Sequence, residues 1–424
     1  MTRWASTLPL AITALWLCAL VIVLFPYLDF SQGLTQVHLN FYSVEWDIEY
    51  AQQLAMQNPP DINELSRYVQ GLVDRIAQNH QGPFQRFTVR VSNMPVINAT
   101  ASPGGHITVN SGLLAFVKSE SELAAVLGHE IAHVRARHGT QKRSRDLFIR
   151  SAFMFCTALS GGPLMMPVTH LVAHFGELAY SRGEERQADD QGLEYMFRAG
   201  IDPLGMVLFW QRTLLRSAQK GGTAFEAPQL FSTHPSDFRR AKRSREKAAR
   251  LSAGRQWAHD STAFEDMQKV AWGRIYGGWG VQALQNHRYV EADKNLSKAI
   301  ASDPRNQWAY YRRAQLYAES NLDDLALQDI RQAIALNSSW LEAHITLDQL
   351  LAKRQEWDAL IGFWGTYLEN IGGAPDGKKK AHYYRGVAYK RKGDHDRARA
   401  DMKVSCSLGY KPACEEGGRL QPQK

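Results

Sequence analysis

Residues 128–133 read Gly128-His129-Glu130-Ile131-Ala132-His133, an H-E-x-x-H motif. Apolar residues lead in (Leu123, Val126, Leu127) and follow (Val134) without a proline, which predicts a helix running to about His138-Gly139. Ser119 and Glu122 supply an S-x-x-E capping box at its start. Positions i and i+4 of a helix share one face, so His129 and His133 can hold a single metal ion from the same side. Glu130 adjoins the first of them, where a carboxylate can serve as a base. Neutral imidazoles around a tetrahedral site with one open position suit catalytic zinc. The bland alternative is an amphipathic helix carrying two incidental histidines, because the motif is short. The rest of the chain decides between the two.

The chain has 424 residues, 44% of them hydrophobic, which allows two or three domains with real cores. Its net charge of +8 is a mild basic excess, and no nucleic-acid motif accompanies it. Residues 8–25 are apolar apart from Thr13; they are preceded by Arg3 and followed by Asp29. That length is near the lower limit for a membrane span, and the positive-inside rule sends everything after it outward. An uncleaved anchor is expected at 1–32. The competing reading is a cleaved signal peptide, against which stand the long apolar core and the lack of an A-x-A site. Cys406 and Cys414 flank a Gly-Tyr-Lys-Pro turn and are expected to form a disulfide, pointing to an oxidising compartment.

Beyond the anchor, Leu65, Val69, Leu72, Val73 and Ile76 recur at helical spacing. Phe87, Val89 and Val91 alternate as in a strand, and His106-Ile107-Thr108-Val109-Asn110 follows a Pro103-Gly104-Gly105 turn as a second one. The apolar segment 147–176 is broken by Gly161-Gly162-Pro163 and Pro167, so a buried hairpin is expected rather than a span. A run of lysines and arginines over 236–255 reads as a solvated helix face. From about 273 a period of about 34 residues sets in, with Gly280, Ala283, Ala292, Leu296 and Ala299 matched by Ala314, Tyr317, Ala326, Ile330 and Ala333. Gly386, Tyr389, Ala398 and Met402 repeat it after a degraded unit. This is tetratricopeptide spacing, and such arrays bind peptides or proteins on a concave face. The expected domains are therefore an anchor at 1–32, a metallopeptidase-like domain at 33–255, a linker at 256–272 and a repeat domain at 273–424.

A zinc site needs a third protein ligand. In H-E-x-x-H-x-x-G-x-x-H enzymes it is a histidine ten residues after the first; here that residue is Gly139, which excludes the class. The candidates are His138, His170, His174, Glu177, Glu184 and Glu185. Glu185 and Asp189 share one helix face, so one can bind the metal while the other takes an N–H from a ligating histidine.

Three stretches carry a family resemblance: Asn98-Ala99 through Pro103-Gly104-Gly105 to Gly112-Leu113-Leu114, Glu122 to His133, and Tyr180-Ser181-Arg182 through Glu185 to Ala188-Asp189. Over roughly residues 40–250 the chain resembles the HtpX and CAAX-prenyl-endopeptidase family of gluzincin metallopeptidases. With the repeats it is similar to the BepA-type periplasmic branch, which acts in outer-membrane protein quality control. The resemblance implies one zinc held by His129, His133 and Glu185, with Asp189 orienting a histidine. It also places the loop Ser232-Thr233-His234-Pro235 near the metal and matches Arg240 to the arginine that follows. The proline restricts His234 to extended backbone. His234 is expected either to cap the zinc or to donate to the oxyanion. Thr100 stands where the family has an aromatic.

The expectation is a mainly α protein: a gluzincin domain with a small β-sheet, then a tetratricopeptide α-solenoid. It is read as a zinc endopeptidase of the bacterial inner membrane, facing the periplasm and cleaving misfolded or unassembled envelope proteins. Glu130 is the general base, His106 to Asn110 pair with an extended substrate, and the repeats bind substrate or an assembly machinery. The alternative is a chaperone or assembly factor with secondary proteolysis.

Overall fold

The computed structural model describes residues 40–57, 64–78, 83–159, 180–218, 234, 238–257, 261–370 and 375–419. Contacts divide the chain into two units, Met1–Ala271 and Trp272–Lys424. The apolar run 8–25, His170, His174, Glu177 and the apolar segment beyond residue 159 lie outside the described residues. Among the described residues, no helix is long and apolar enough to cross a membrane.

The first unit opens with α1 (Val44–Gln57) and α2 (Glu64–Ala77). Leu65, Val69, Leu72, Val73 and Ile76 all point α2 into the core, as their spacing demands. Strands β1 (Thr88–Ser92), β2 (Ala99–Ala101) and β3 (His106–Asn110) form one sheet in the order β1-β3-β2. β3 runs parallel to β1, with Val89 beside Ile107, and antiparallel to β2, with Thr100 opposite Thr108. This corrects the expectation for His106, Ile107, Thr108, Val109 and Asn110. Both edges of β3 are already paired, so it has no backbone groups free for a substrate strand. His106 is a core histidine whose Nδ1 meets Thr88 Oγ1 at 2.9 Å.

The short helix α3 (Ser111–Phe116) leads into α4 (Glu120–Arg135), which carries the H-E-x-x-H motif. α4 is buried on every side from Glu122 to Val134, so it is a core helix and not an amphipathic one. Only half of the expected capping box forms. The Ser119 hydroxyl accepts the Glu122 N–H at 3.2 Å, but the Glu122 carboxylate accepts the Lys118 N–H at 2.7 Å instead of returning to Ser119. α4 also stops short of His138. Arg137 adopts φ 59°, and a new helix, α5 (His138–Leu159), starts immediately after it. A left-handed arginine costs about 1–2 kcal/mol. Its guanidinium offsets this by donating to Asp47 Oδ2 at 2.8 Å and to the Tyr42 carbonyl at 2.6 Å.

Then come α6 (Arg182–Arg198), α7 (Leu204–Ala218) and α8 (Phe238–Ser252). α4 and α6 cross at Gly128 and Gly192. A Cβ on Gly192 would stand 3.1 Å from the His129 amide nitrogen, so the backbones touch only because both residues lack side chains. That close crossing brings the carboxylates of α6 to the histidines of α4.

Helix α9 (Thr262–Gln285) spans the division between the units. The stretch 256–272, expected to be a linker, is thus largely the start of a long helix. The second unit continues with α10 (Tyr289–Ser302), α11 (Gln307–Glu319), α12 (Asp323–Leu336), α13 (Leu341–Lys353), α14 (Trp357–Asn370), α15 (Pro375–Lys392), α16 (His395–Ser407) and α17 (Lys411–Arg419). Ala283, Ala292, Leu296, Ala299, Ala314, Ala326, Ile330 and Ala333 are buried where successive helices touch. This is the helical-repeat solenoid its period predicts. The degraded unit is a real helix pair, α13 and α14. Trp364 takes the place that Leu296 and Ile330 hold in the units before it, which hides the pattern in sequence. It is fully buried and donates its Nε1–H to Asp348 Oδ1 at 2.7 Å. Cys406 and Cys414 are joined across α16 and α17, with Cα atoms 4.8 Å apart.

Candidate metal centre

Four buried side chains converge: His129 and His133 from α4, Glu185 from α6, and His234 from the segment before α8. One donor atom of each lies within 4.8 Å of all the others. His133 Nε2 is 3.0 Å from His129 Nε2, which is 3.1 Å from His234 Nδ1. Glu185 Oε1 lies 2.9 Å from His234 Nδ1 and 3.3 Å from His133 Nε2.

The rings are turned by what holds their other nitrogens. His129 Nδ1 is 3.0 Å from Asp189 Oδ1, so a ring proton sits there and Nε2 faces the cluster. His133 Nδ1 is 2.9 Å from His138 Nδ1, and His138 Nε2 is 3.2 Å from Gln187 Oε1. Tyr180 stacks on the His133 ring with centroids 4.1 Å apart. Arg240 clamps the acidic side. Its Nε and Nη2 donate to Asp189, the latter at 2.8 Å, and its Nη1 stands 2.5 Å from Glu185 Oε2. The guanidinium also lies over the Trp210 ring, 4.4 Å from its centroid.

Burial opposes charge on His129, but hydrogen bonds to Asp189 and Glu185 outweigh it and push its pKa up to about 9. Burial and the neighbouring His129 charge drive His133 well below the ordinary imidazole value. Burial also opposes ionisation of Glu185, yet hydrogen bonds with His129, His133 and His234 hold its carboxyl far below the carboxylate range. Glu130 moves the other way: burial raises it against the pull of His234 and His129.

This donor set fits a zinc ion on three counts. His129 Nε2 and His133 Nε2 face each other at 3.0 Å, so one shared cation, a proton or a metal ion, belongs between them. Four separations within the set, 2.9 to 3.3 Å, lie close to the edge of a tetrahedron, about 3.3 Å for bonds of about 2.0–2.1 Å. Glu185 and Asp189, both buried, face the one guanidinium of Arg240, and a dication can offset the negative charge left over. Glu130 lies beside the set. Its Oε2 accepts the Ala101 N–H at 2.9 Å, while Oε1 has no hydrogen bond among the described residues and faces His234 Nε2 at 3.4 Å.

Of the other ligand candidates, Glu184 caps α6 through Ser181 and pairs with Arg145 at 2.8 Å, away from the cluster. His138 stands behind His133 instead of joining it at the centre. Sequence reasoning did not single out Gln187 or the Ala101 amide. Gln187 falls between Glu185 and Asp189 on α6, a position that only the observed turn at Arg137 makes useful. The fold brings Asp189 and Arg240 to the cluster and leaves His106 to Asn110 in the sheet core.

Residues 63–248 match Peptidase family M48. The chain is 33% identical to the putative beta-barrel assembly-enhancing protease of Vibrio cholerae over 46% of its own length and 42% of that protein. It is 26% identical to the beta-barrel assembly-enhancing protease of Escherichia coli strain K12, over 61% of this chain and 59% of the relative. It is also 33% identical to the mitochondrial metalloendopeptidase OMA1 of Schizosaccharomyces pombe, over 44% of this chain and 54% of that one. The chain thus spans about half the length of the curated relatives it matches. Residues 63–248, which carry the cluster on α4 and α6, are thus similar to the domains of Peptidase family M48.

Proposed function

We propose that the chain is a zinc metalloendopeptidase of the bacterial envelope that acts on unassembled or misfolded envelope proteins. The observation that carries this is the buried set of His129, His133, Glu185 and His234 donors with Glu130 beside it. Zinc bound there would supply Lewis acidity, lowering the pKa of water and polarising a peptide carbonyl. The protein's own groups do the rest. Glu130 Oε1, which has no hydrogen bond among the described residues, takes a proton from the attacking water and returns it to the leaving amine. The Ala101 N–H on Oε2 keeps the carboxylate turned that way. Among the described residues β2 is paired on one side only, and its Ala101 amide donates to Glu130. An extended substrate adds to that edge, since backbone pairing accepts many sequences.

His234 restrains the site. Its Nδ1 stands among the ligand atoms, so it completes a four-donor set of the closed kind, whereas catalysis requires an open position. This favours the capping role over oxyanion donation. Substrate presentation displaces His234, and the helical repeats present protein substrates or partners. The Cys406–Cys414 disulfide supports an oxidising compartment, and the apolar run 8–25 supports anchorage in the inner membrane.

The test is digestion of an unfolded outer-membrane protein by the wild type and by Glu130→Gln at equal zinc content. A loss of about 10²- to 10⁴-fold in rate is expected. Equal rates would remove Glu130 from the chemistry, and intact envelope assembly in the variant would favour the chaperone reading.

A further inference from the structure

The two histidines of the motif are held from behind by different kinds of group. His129 has a carboxylate, Asp189, on its Nδ1. His133 has another histidine, and that ring has a partner of its own. We propose that His138, held by Gln187, is a positioning residue that fixes the tautomer and ring angle of His133 for metal binding. The inference rests on reading His129, His133 and Glu185 as zinc ligands.

His133 Nε2 points into the donor cluster, 3.0 Å from His129 Nε2 and 3.3 Å from Glu185 Oε1. To bind a metal it must offer a lone pair, so the single ring proton of His133 belongs on Nδ1. His138 Nδ1, 2.9 Å away, must then accept it and carry no proton itself. The proton of His138 is left on Nε2, where an acceptor is needed. Gln187 Oε1 stands there at 3.2 Å, and an amide oxygen can only accept. Every donor in the row therefore points away from the metal, and the direction is set at its far end by an uncharged group. His138 is 1% exposed, so water does not supply an alternative partner.

The fold builds this contact from both sides. His133 and His138 are five apart, a spacing that puts residues on different faces of a continuous helix. They meet only because Arg137 breaks the helix at φ 59°. That break is secured by Asp47 and the Tyr42 carbonyl on α1 and the segment before it. Gln187 sits on α6 between Glu185 and Asp189, so one helix supplies the third ligand and the far ends of both histidine contacts.

The test measures zinc affinity of the full chain by competition with a chromophoric chelator, alongside circular dichroism of each protein. His138→Phe keeps a ring but loses the acceptor, and about 10- to 100-fold weaker zinc binding is expected. His138→Asn puts an amide oxygen where Nδ1 was, and it should recover most of that loss. Unchanged affinity in a folded His138→Phe protein would overturn the inference. Should that variant fail to fold, Gln187→Leu removes only the far acceptor and should weaken zinc binding in the same direction; no change there would overturn it equally. As a direct check, ¹⁵N spectra of zinc-loaded wild type should show His133 protonated at Nδ1 and His138 at Nε2. A proton on His138 Nδ1 refutes the arrangement. A wild-type chain that takes up no zinc would sink the metallopeptidase reading itself, whereas normal uptake with indifferent variants would sink only this inference.

Discussion

Asp348 on α13 is a half-buried acid that accepts a hydrogen bond from Trp364 Nε1 at 2.7 Å. Burial raises its pKa from 3.8 to about 6, and the Trp364 bond only partly opposes that. A carboxyl whose folded pKa lies above its unfolded value favours the native state only while protonated. That contribution is complete below pH 3.8 and is lost as the pH rises through 6. At pH 7.5 the charge therefore costs stability: about two pKa units at about 1.4 kcal/mol each is roughly 3 kcal/mol, or about 2 kcal/mol after allowing for the solvent the side chain retains. Asp348→Asn keeps the oxygen that accepts from Trp364 and removes the charge. The repeat transition in calorimetry of the full chain should rise by about 5 °C at pH 7.5. The gap should shrink by roughly two-thirds at pH 4.5, where the wild-type acid is protonated in the folded state. An equal melting temperature at pH 7.5, or an advantage of the same size at both pH values, would refute the reasoning.

Three further outcomes are expected. His234→Ala should raise basal cleavage and self-cleavage severalfold with zinc content unchanged; a fall in turnover would instead assign His234 to the oxyanion. Arg240→Met should destabilise the folded chain by about 3–5 kcal/mol in urea titrations, because it strips the buried Asp189 and Glu185 of their counterion. Cys406→Ser opens a loop with a sequence separation of 8 and should cost up to about 2.5 kcal/mol of repeat stability, read as a lower melting temperature that reductant also produces in wild type.

The parts of the site that could be read from sequence are those fixed within a single helix. His129 and His133 share a face of α4, and Glu185 and Asp189 share one of α6, whatever surrounds them. The repeats were legible for the same local reason: Ala292, Ala326 and their neighbours are small because helices touch there. What could not be read depends on order in space. The pattern of His106 to Asn110 identifies a strand, but nothing in five residues says whether it lies at the centre or the edge of a sheet. Strand order placed β3 in the middle and left the edges to β1 and β2, and the three residues of β2, Ala99–Ala101, were too few for a clear alternation. His138 illustrates the limit best. As a sequence feature it was one more candidate ligand, nine residues after His129. Its position behind His133 follows from a left-handed residue that is an arginine, not the glycine or asparagine that would have advertised a turn. That arginine is held by an ion pair to Asp47, ninety positions away in the chain. The second layer of the metal centre is therefore a tertiary property, and its contribution can be measured only by altering those distant contacts one at a time.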